Sequence, residues 1–154
     1  MGGRAVIRTA SQGALFASSL ALLLAGAARA GDVAWSDYAG ERTVVAVTHD
    51  EDGDVRETTV WLVVVDGQGY IRTGSTRWGA NVERTPQLLL RVASDELPVR
   101  VEFVTDEPTR DAVSRAFREK YGFTDRMLSV FRGSAPKIMR LLPGAQGSLP
   151  SAVR

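Results

Sequence analysis

Residues 58–65, TTVWLVVV, form a nearly continuous apolar run, the mark of a strand covered on both faces. Asp66-Gly67 follows at once, and residues 69–73 (GYIRT) return as another strand. Asp-Gly between two strand-like runs is a strong hairpin signal. Upstream, the β-branched segment 43–48 (TVVAVT) reaches the same run through residues 50–54 (DEDGD), again with Asp-Gly. Three aspartates there invite a calcium reading, but the alternating ligand spacing and distal glutamate of such a loop are missing, so this is read as a turn. Further strands are expected at residues 87–92, at 99–105, where Val99, Val101 and Phe103 share a face, and at 137–142. The turn at Ser94 to Glu96 and Pro98 precedes the second of these. A short helix over 78–84 has Ser75 or Thr76 as its cap and ends at Pro86. A longer one, capped by Asp106 or Thr105 with Pro108 in its first turn, closes at Gly122 and carries an apolar stripe of Val113, Ala116, Phe117 and Tyr121. Residues 124–131 are expected as a second short helix. The pattern predicts a mainly β, α+β domain: six antiparallel strands closed into a small barrel, with one short and one longer helix packed on it.

The first thirty residues follow a different logic. Arg4 and Arg8 precede an uncharged apolar stretch at 13–27, and Ala28-Arg29-Ala30 supplies the small-x-small pattern of a cleavage site. Residues 1–30 are therefore expected to be a cleaved leader, 31–142 the domain and 143–154 a Gly/Ser/Pro tail. The protein is expected to be exported, to a periplasm or the medium, by the route that threads unfolded chain. Cleavage takes the formal charge from +1 to −2, so no basic excess remains to attract nucleic acid or a membrane surface. There is no cysteine and a single histidine, His49. Thiol catalysis, cysteine metal sites and a multi-histidine zinc site are excluded, and no metal is expected. His49 itself reads as a solvated residue leading into the 50–54 turn.

The stretch that could carry chemistry is 70–86, YIRTGSTRWGANVERTP. A strand delivers Arg72 and Thr73 into a Gly-Ser-Thr loop, and the loop opens a helix bearing Arg77. A helix N-terminus offers N–H groups and partial positive charge to an anion. The hydroxyls of Ser75 and Thr76 and the guanidinium groups of Arg72 and Arg77 would complete a phosphate cradle. The alternative is a capped helix with arginines nearby and no ligand.

Residues 42–142 resemble the split-barrel flavoproteins related to pyridoxamine 5'-phosphate oxidase, nearest their deazaflavin-dependent nitroreductase branch. That branch carries Trp-x-x-Asn-Leu-x-x-x-Pro after its phosphate loop, and this chain has Trp78, Asn81, Val82 and Pro86 at that spacing. The flavin branch has Ser-Arg-Lys, with Thr76, Arg77 and Trp78 at those places here. Residues 117–122 (FREKYG) are similar to a late helix that ends in Lys-Tyr-Gly. The resemblance implies a split β-barrel that pairs as a homodimer and binds FMN or a deazaflavin coenzyme. Arg72, Thr73, Ser75, Thr76 and Arg77 would face the phosphate, with Trp78 and Asn81 at the start of the supporting helix. Two departures stand out. Trp78 replaces the lysine of the flavin branch, and the Arg-x-x-Pro that leads the apolar strand is only Arg56-Glu57-Thr58-Thr59.

In such a protein the ring of the coenzyme carries the hydride chemistry, so a shortage of acid–base residues is no objection. Tyr70 and Tyr121 are candidate proton donors but read better as core aromatics, as does Trp61, and no catalytic residue is assigned. Export works the other way, since a chain threaded unfolded cannot carry a bound flavin with it. The competing expectation is thus a cofactor-free exported module that binds a small ligand or a protein. Haem binding, known for this barrel family, has no axial ligand to offer beyond His49.

Overall fold

Turn chemistry sets the strand pairing. The computed structural model describes residues 33–122 and 135–144. The expected leader, the short helix at 124–131 and all but the first two residues of the tail lie outside these. Strand β1 (Thr43–His49) pairs antiparallel with β2 (Val55–Trp61) across the 50–54 turn, where Gly53 takes a φ of +89°. Strand β3 (Val63–Val65) turns into β4 (Gln68–Thr73) through Asp66 and Gly67, both at positive φ (51° and 73°), as a tight two-residue hairpin requires. Strands β5 (Gln87–Val92) and β6 (Asp95–Phe103) form a third hairpin with Val92 paired to Asp95. The expected broad turn through Pro98 is therefore shorter. Ala93 accepts a φ of +52°, and β6 begins at Asp95 and runs straight through Pro98.

The apolar run at 58–65 is two strands, not one, which raises the expected six strands to seven. The break falls at Leu62, which is fully buried. The sheet order is β2-β1-β5-β6-β7-β4-β3, with β7 at Lys137–Pro143. Its two outermost strands, β2 and β3, are neighbours in the chain, so the sheet must curl until its ends meet at Leu62. The result is a curled antiparallel split barrel with two helices packed on it, as expected: α1 (Arg77–Arg84) and α2 (Glu107–Tyr121).

Alternation along the strands fills the interior. Val44 and Ala46 of β1, Leu88 and Leu90 of β5, Val99 and Val101 of β6, and Met139 and Leu141 of β7 all point into one cluster with Leu62 and Ile71. Trp35, in a short 3-10 turn (Trp35–Tyr38), belongs to the same cluster at 2% exposure, although its segment has no period in the sequence. A second cluster lies under α2, where Val113, Phe117 and Tyr121 meet Val63, Tyr70, Val104 and Ile138. Asp106 caps α2 by accepting from the Thr109 N–H at 3.0 Å, and Gly122 ends it at a φ of +56°.

The end of α2 satisfies the backbone at the Leu62 break. The Tyr121 hydroxyl accepts from the Leu62 N–H at 3.1 Å and lies 2.7 Å from the Leu62 carbonyl, to which it donates in competition with the Arg42 carbonyl. The Lys120 ammonium donates to the carbonyls of Leu62 (3.0 Å), Ala39 (2.9 Å) and Glu41. Burial pushes the Tyr121 hydroxyl up to about 12 and lowers the Lys120 amine from its ordinary value. The Lys-Tyr-Gly triplet thus has a structural task.

Trp35 reaches the core because Gly69 has no side chain. A Cβ at Gly69 would lie 2.5 Å from the Trp35 indole, a ring that cannot give way inside the barrel. Gly69→Ala is expected to destabilise the fold by about 1–3 kcal/mol through overpacking, measured as a lower urea midpoint with an unchanged slope. An unchanged midpoint would show that the indole is not wedged there.

Candidate functional site

The site grows from the junction of β4 and α1. Thr73 ends the strand at 2% exposure, and Gly74-Ser75-Thr76 leads into the helix. Of the two expected caps, Thr76 is the one used: its Oγ1 accepts from the Gly79 N–H at 3.2 Å. Thr76 Oγ1 and Thr73 Oγ1 are 2.6 Å apart, and Thr73 Oγ1 lies 3.2 Å from the Gly74 carbonyl. Each hydroxyl has one proton. The short contact can run either way: Thr73 donates to Thr76, or Thr76 donates to Thr73 while Thr73 donates to Gly74. Gly79 permits this closeness, since a Cβ there would come within 2.8 Å of the Thr73 side chain.

This junction forms one wall of a pocket of about 320 Å³. Thr73, Gly74, Thr76 and Trp78 line that side, Arg72 enters from β4, and residues 58–61 of β2 form the facing wall. The Arg72 guanidinium lies over the Phe117 ring at 4.2 Å and 5.8 Å from the centre of the Trp61 ring. Trp61 in turn stacks parallel on Tyr121, centroids 4.3 Å apart. A cation over aromatic faces is stabilised by about 0.5–2 kcal/mol, so the charge is held in place at the pocket. Trp61 differs from its expected place in the core: it is half-buried and exposes an indole to the pocket. Tyr121 and Tyr70 are core residues at 5% exposure each.

Of the residues singled out in the sequence, the structure brings Arg72, Thr73, Thr76 and Trp78 together. Ser75 and Arg77 alternate with them along the chain but are exposed and do not line the pocket. Arg77 reaches instead toward Asp50, with Nη1 3.7 Å from Oδ2. Asn81 is buried behind the helix, donating to Asp50 Oδ1 at 2.7 Å and to Thr48 Oγ1 at 3.2 Å and accepting from Arg84 at 3.1 Å. Asp50 also receives both arms of Arg56, at 2.9 and 2.6 Å. Asp50 is thus a tie between the β1–β2 turn and α1. His49 lines a separate cavity of about 160 Å³ with Asn81 and Arg84. The β2 residues were the ones that sequence reasoning missed. The one pointer to that strand was the departure at Arg56-Glu57-Thr58-Thr59. Among the described residues, no group of three His, Asp or Glu side chains is placed to hold a metal ion, and no helix is long and apolar enough to cross a membrane.

Over residues 37–138 the chain matches a family described as an uncharacterized protein conserved in bacteria (DUF2255). No curated protein matches it. Among solved structures, the heme storage protein HutZ from Vibrio cholerae is 17% identical, with a TM-score of 0.57 over 71% of this chain and 87% of that one. A conserved hypothetical protein from Mycobacterium tuberculosis is 18% identical, with a TM-score of 0.53 over 70% and 77% of the two chains. An F420-H2 dependent reductase, FDR-A, is 14% identical, with a TM-score of 0.51 over 66% and 94%. At these identities the likeness is one of fold. It is shared alike by proteins described as a heme storage protein, a conserved hypothetical protein and a reductase, and does not single out the deazaflavin branch.

The hydrogen bonds from Arg56 and Asn81 hold the Asp50 carboxyl well below the usual carboxylate range. A folded-state pKa depressed in this way contributes stability above the unfolded value of about 4, and that contribution is lost as pH falls below it. Thermal unfolding should therefore show a melting temperature that drops on acidification below about pH 4. Asp50→Asn is expected to lower the melting temperature at neutral pH and to shrink that acid drop. An equally steep drop in the variant would assign the acid limb to other carboxylates.

Proposed function

The chain belongs to this bacterial family, and we propose that it binds a phosphate-bearing flavin or deazaflavin coenzyme in the β2–α1 pocket and acts as an oxidoreductase. One observation carries the reading: a fixed guanidinium, a glycine loop at a helix start and an indole wall converge on a single pocket of about 320 Å³. The first N–H groups of a helix have no partner within it and carry partial positive charge. With the two threonine hydroxyls bonded to each other inside the cap, a phosphate would meet Arg72 and the main-chain N–H groups at the start of α1. Ser75 and Arg77 would join from the flank, Arg77 by leaving the longest of the contacts to Asp50. Trp61 and Trp78 would lie against the coenzyme, and Asn81 would act one step back by holding Asp50.

The coenzyme ring would supply the hydride chemistry, with this chain's residues binding and orienting it. The Tyr121 hydroxyl is engaged with the Leu62 backbone and is pushed up by burial, which suits a strut better than a proton donor. The shared fold of FDR-A, described as an F420-H2 dependent reductase, supports the redox reading. The fold shared with HutZ, described as a heme storage protein, gives haem less support here, because His49 does not line this pocket. In our reading the protein is exported by its first thirty residues, loads coenzyme outside the cytoplasm and pairs as a homodimer. A second reading, a cofactor-free exported module for a small ligand or protein, is favoured by the threonine hydroxyls already bonded to each other and by Arg77 turned to Asp50.

Titration of the protein with FMN and with the deazaflavin coenzyme, followed by coenzyme and tryptophan fluorescence, separates the two. Saturable binding of one coenzyme is expected. Arg72→Met, which keeps length over Phe117 and removes the charge, should weaken it more than tenfold, since a charge-assisted contact contributes roughly 1.5–3 kcal/mol. No binding of either coenzyme at high micromolar concentration would leave the module. Light scattering on an eluting size-exclusion peak should give the mass of a dimer, and a monomer would refute the pairing.

A further inference from the structure

A second cavity, of about 290 Å³, has Phe103, Val104 and Ile138 as apolar walls and Arg110, Lys137 and Glu83 as charged ones. It shares structure with the first pocket. In the β4–β7 ladder Arg72 pairs with Ile138 and Thr73 with Lys137, so each of these rungs carries one residue of each pocket. Helix α1 spans the same distance, with Trp78 in the first pocket and Glu83 in the second.

We propose that this second cavity is a binding site for a small apolar carboxylic acid, its hydrocarbon part on Phe103, Val104 and Ile138 and its carboxylate on Arg110. The charges select the acid. Lys137 and Glu83 form a close ion pair and cancel one another. Among the described residues the ion pair of Arg110 is with Glu107, through Nε at 3.8 Å, and Glu107 is 78% exposed, so water screens that contact. One guanidinium therefore faces the ligand with little competition, and its planar fork suits a carboxylate. The volume limits the size: about 290 Å³ holds roughly ten groups of water size, at ~30 Å³ each, which is a compact acid rather than a long fatty chain. The apolar walls add affinity for hydrocarbon and none for a fully polar anion. The site stands whether or not the first pocket takes a coenzyme. Where it does, an acid bound here lies one ladder rung away and would be the substrate, and that role alone rests on the coenzyme reading.

Isothermal titration of the protein with octanoate, and with octylamine as the charge-reversed probe, tests the proposal. Octanoate is expected to bind in the high-micromolar to low-millimolar range usual for so small a ligand, and octylamine at least about tenfold more weakly. Arg110→Gln, on an accessible helix position, should weaken octanoate about tenfold or more. Val104→Phe should abolish binding by filling the cavity; should that variant fail to fold, Arg110→Gln and the octylamine comparison still decide. No octanoate binding, equal binding of the two probes, or indifference to Arg110→Gln overturns the proposal and leaves the cavity to another part of the chain or a second copy. Octanoate binding without coenzyme binding removes the coenzyme reading only, and the reverse result removes this one only.

Discussion

One peptide corner holds this fold in shape. At Leu62 a single apolar segment stops pairing with β1 and starts pairing with β4, and the corner residue is buried. A buried backbone donor or acceptor left without a partner costs about 1–3 kcal/mol, so a strand cannot change neighbours inside a core without other groups taking over its hydrogen bonds. Tyr121 and Lys120 take them over from the last turn of α2, more than fifty residues away in the chain. The same corner makes the pocket. Trp61 is the last residue before it, and its indole stacks on the ring whose hydroxyl holds Leu62. Barrel closure and an aromatic pocket wall are therefore two results of one contact.

This explains what the sequence could and could not reveal. The turns at residues 50–54 and 66–67 were legible because each has a glycine that takes positive φ, whereas Ala93 marked no turn in advance, and the helices because Thr76, Asp106, Pro108 and Gly122 each meet a specific need at a helix end. The division at Leu62 was not, because a strand that switches neighbours keeps the apolar pattern of one that does not. Trp35 was hidden for a related reason: four residues of 3-10 turn are too few to show a period, and the glycine that admits the indole is thirty-four positions away. Trp61 illustrates a third limit. Periodicity reports that a side chain is wanted inside, but not whether the space opposite it is filled or open.

At the site, the residue types were legible and their division of labour was not. Thr73 and Thr76 read as phosphate ligands from their hydroxyls, yet the structure joins those hydroxyls to each other and to the Gly74 carbonyl. Their task in this arrangement is to shape the loop. Asn81, matched by spacing after Trp78, points to Asp50 and Thr48, which is geometry that three residues of helix cannot disclose. Long-range partners such as Asp50, thirty-one positions from Asn81, are set by the barrel and not by the local motif.

The two arginines of the loop region are held by forces of different kinds. Arg72 lies on aromatic rings that also form the core under α2, so its charge stays at the pocket and moving it would disturb packing. Arg77 is exposed, and its one described ion pair is a 3.7 Å contact with a carboxylate that already has three shorter hydrogen bonds. An exposed contact of that length is screened by water and holds Arg77 weakly. Arg72 is accordingly set by the packing of the core under α2, whereas Arg77 is set by one long contact at the surface. The two guanidinium groups nearest the loop are thus placed by different parts of the fold, Arg72 by the rings of Phe117 and Trp61 and Arg77 by the β1–β2 turn.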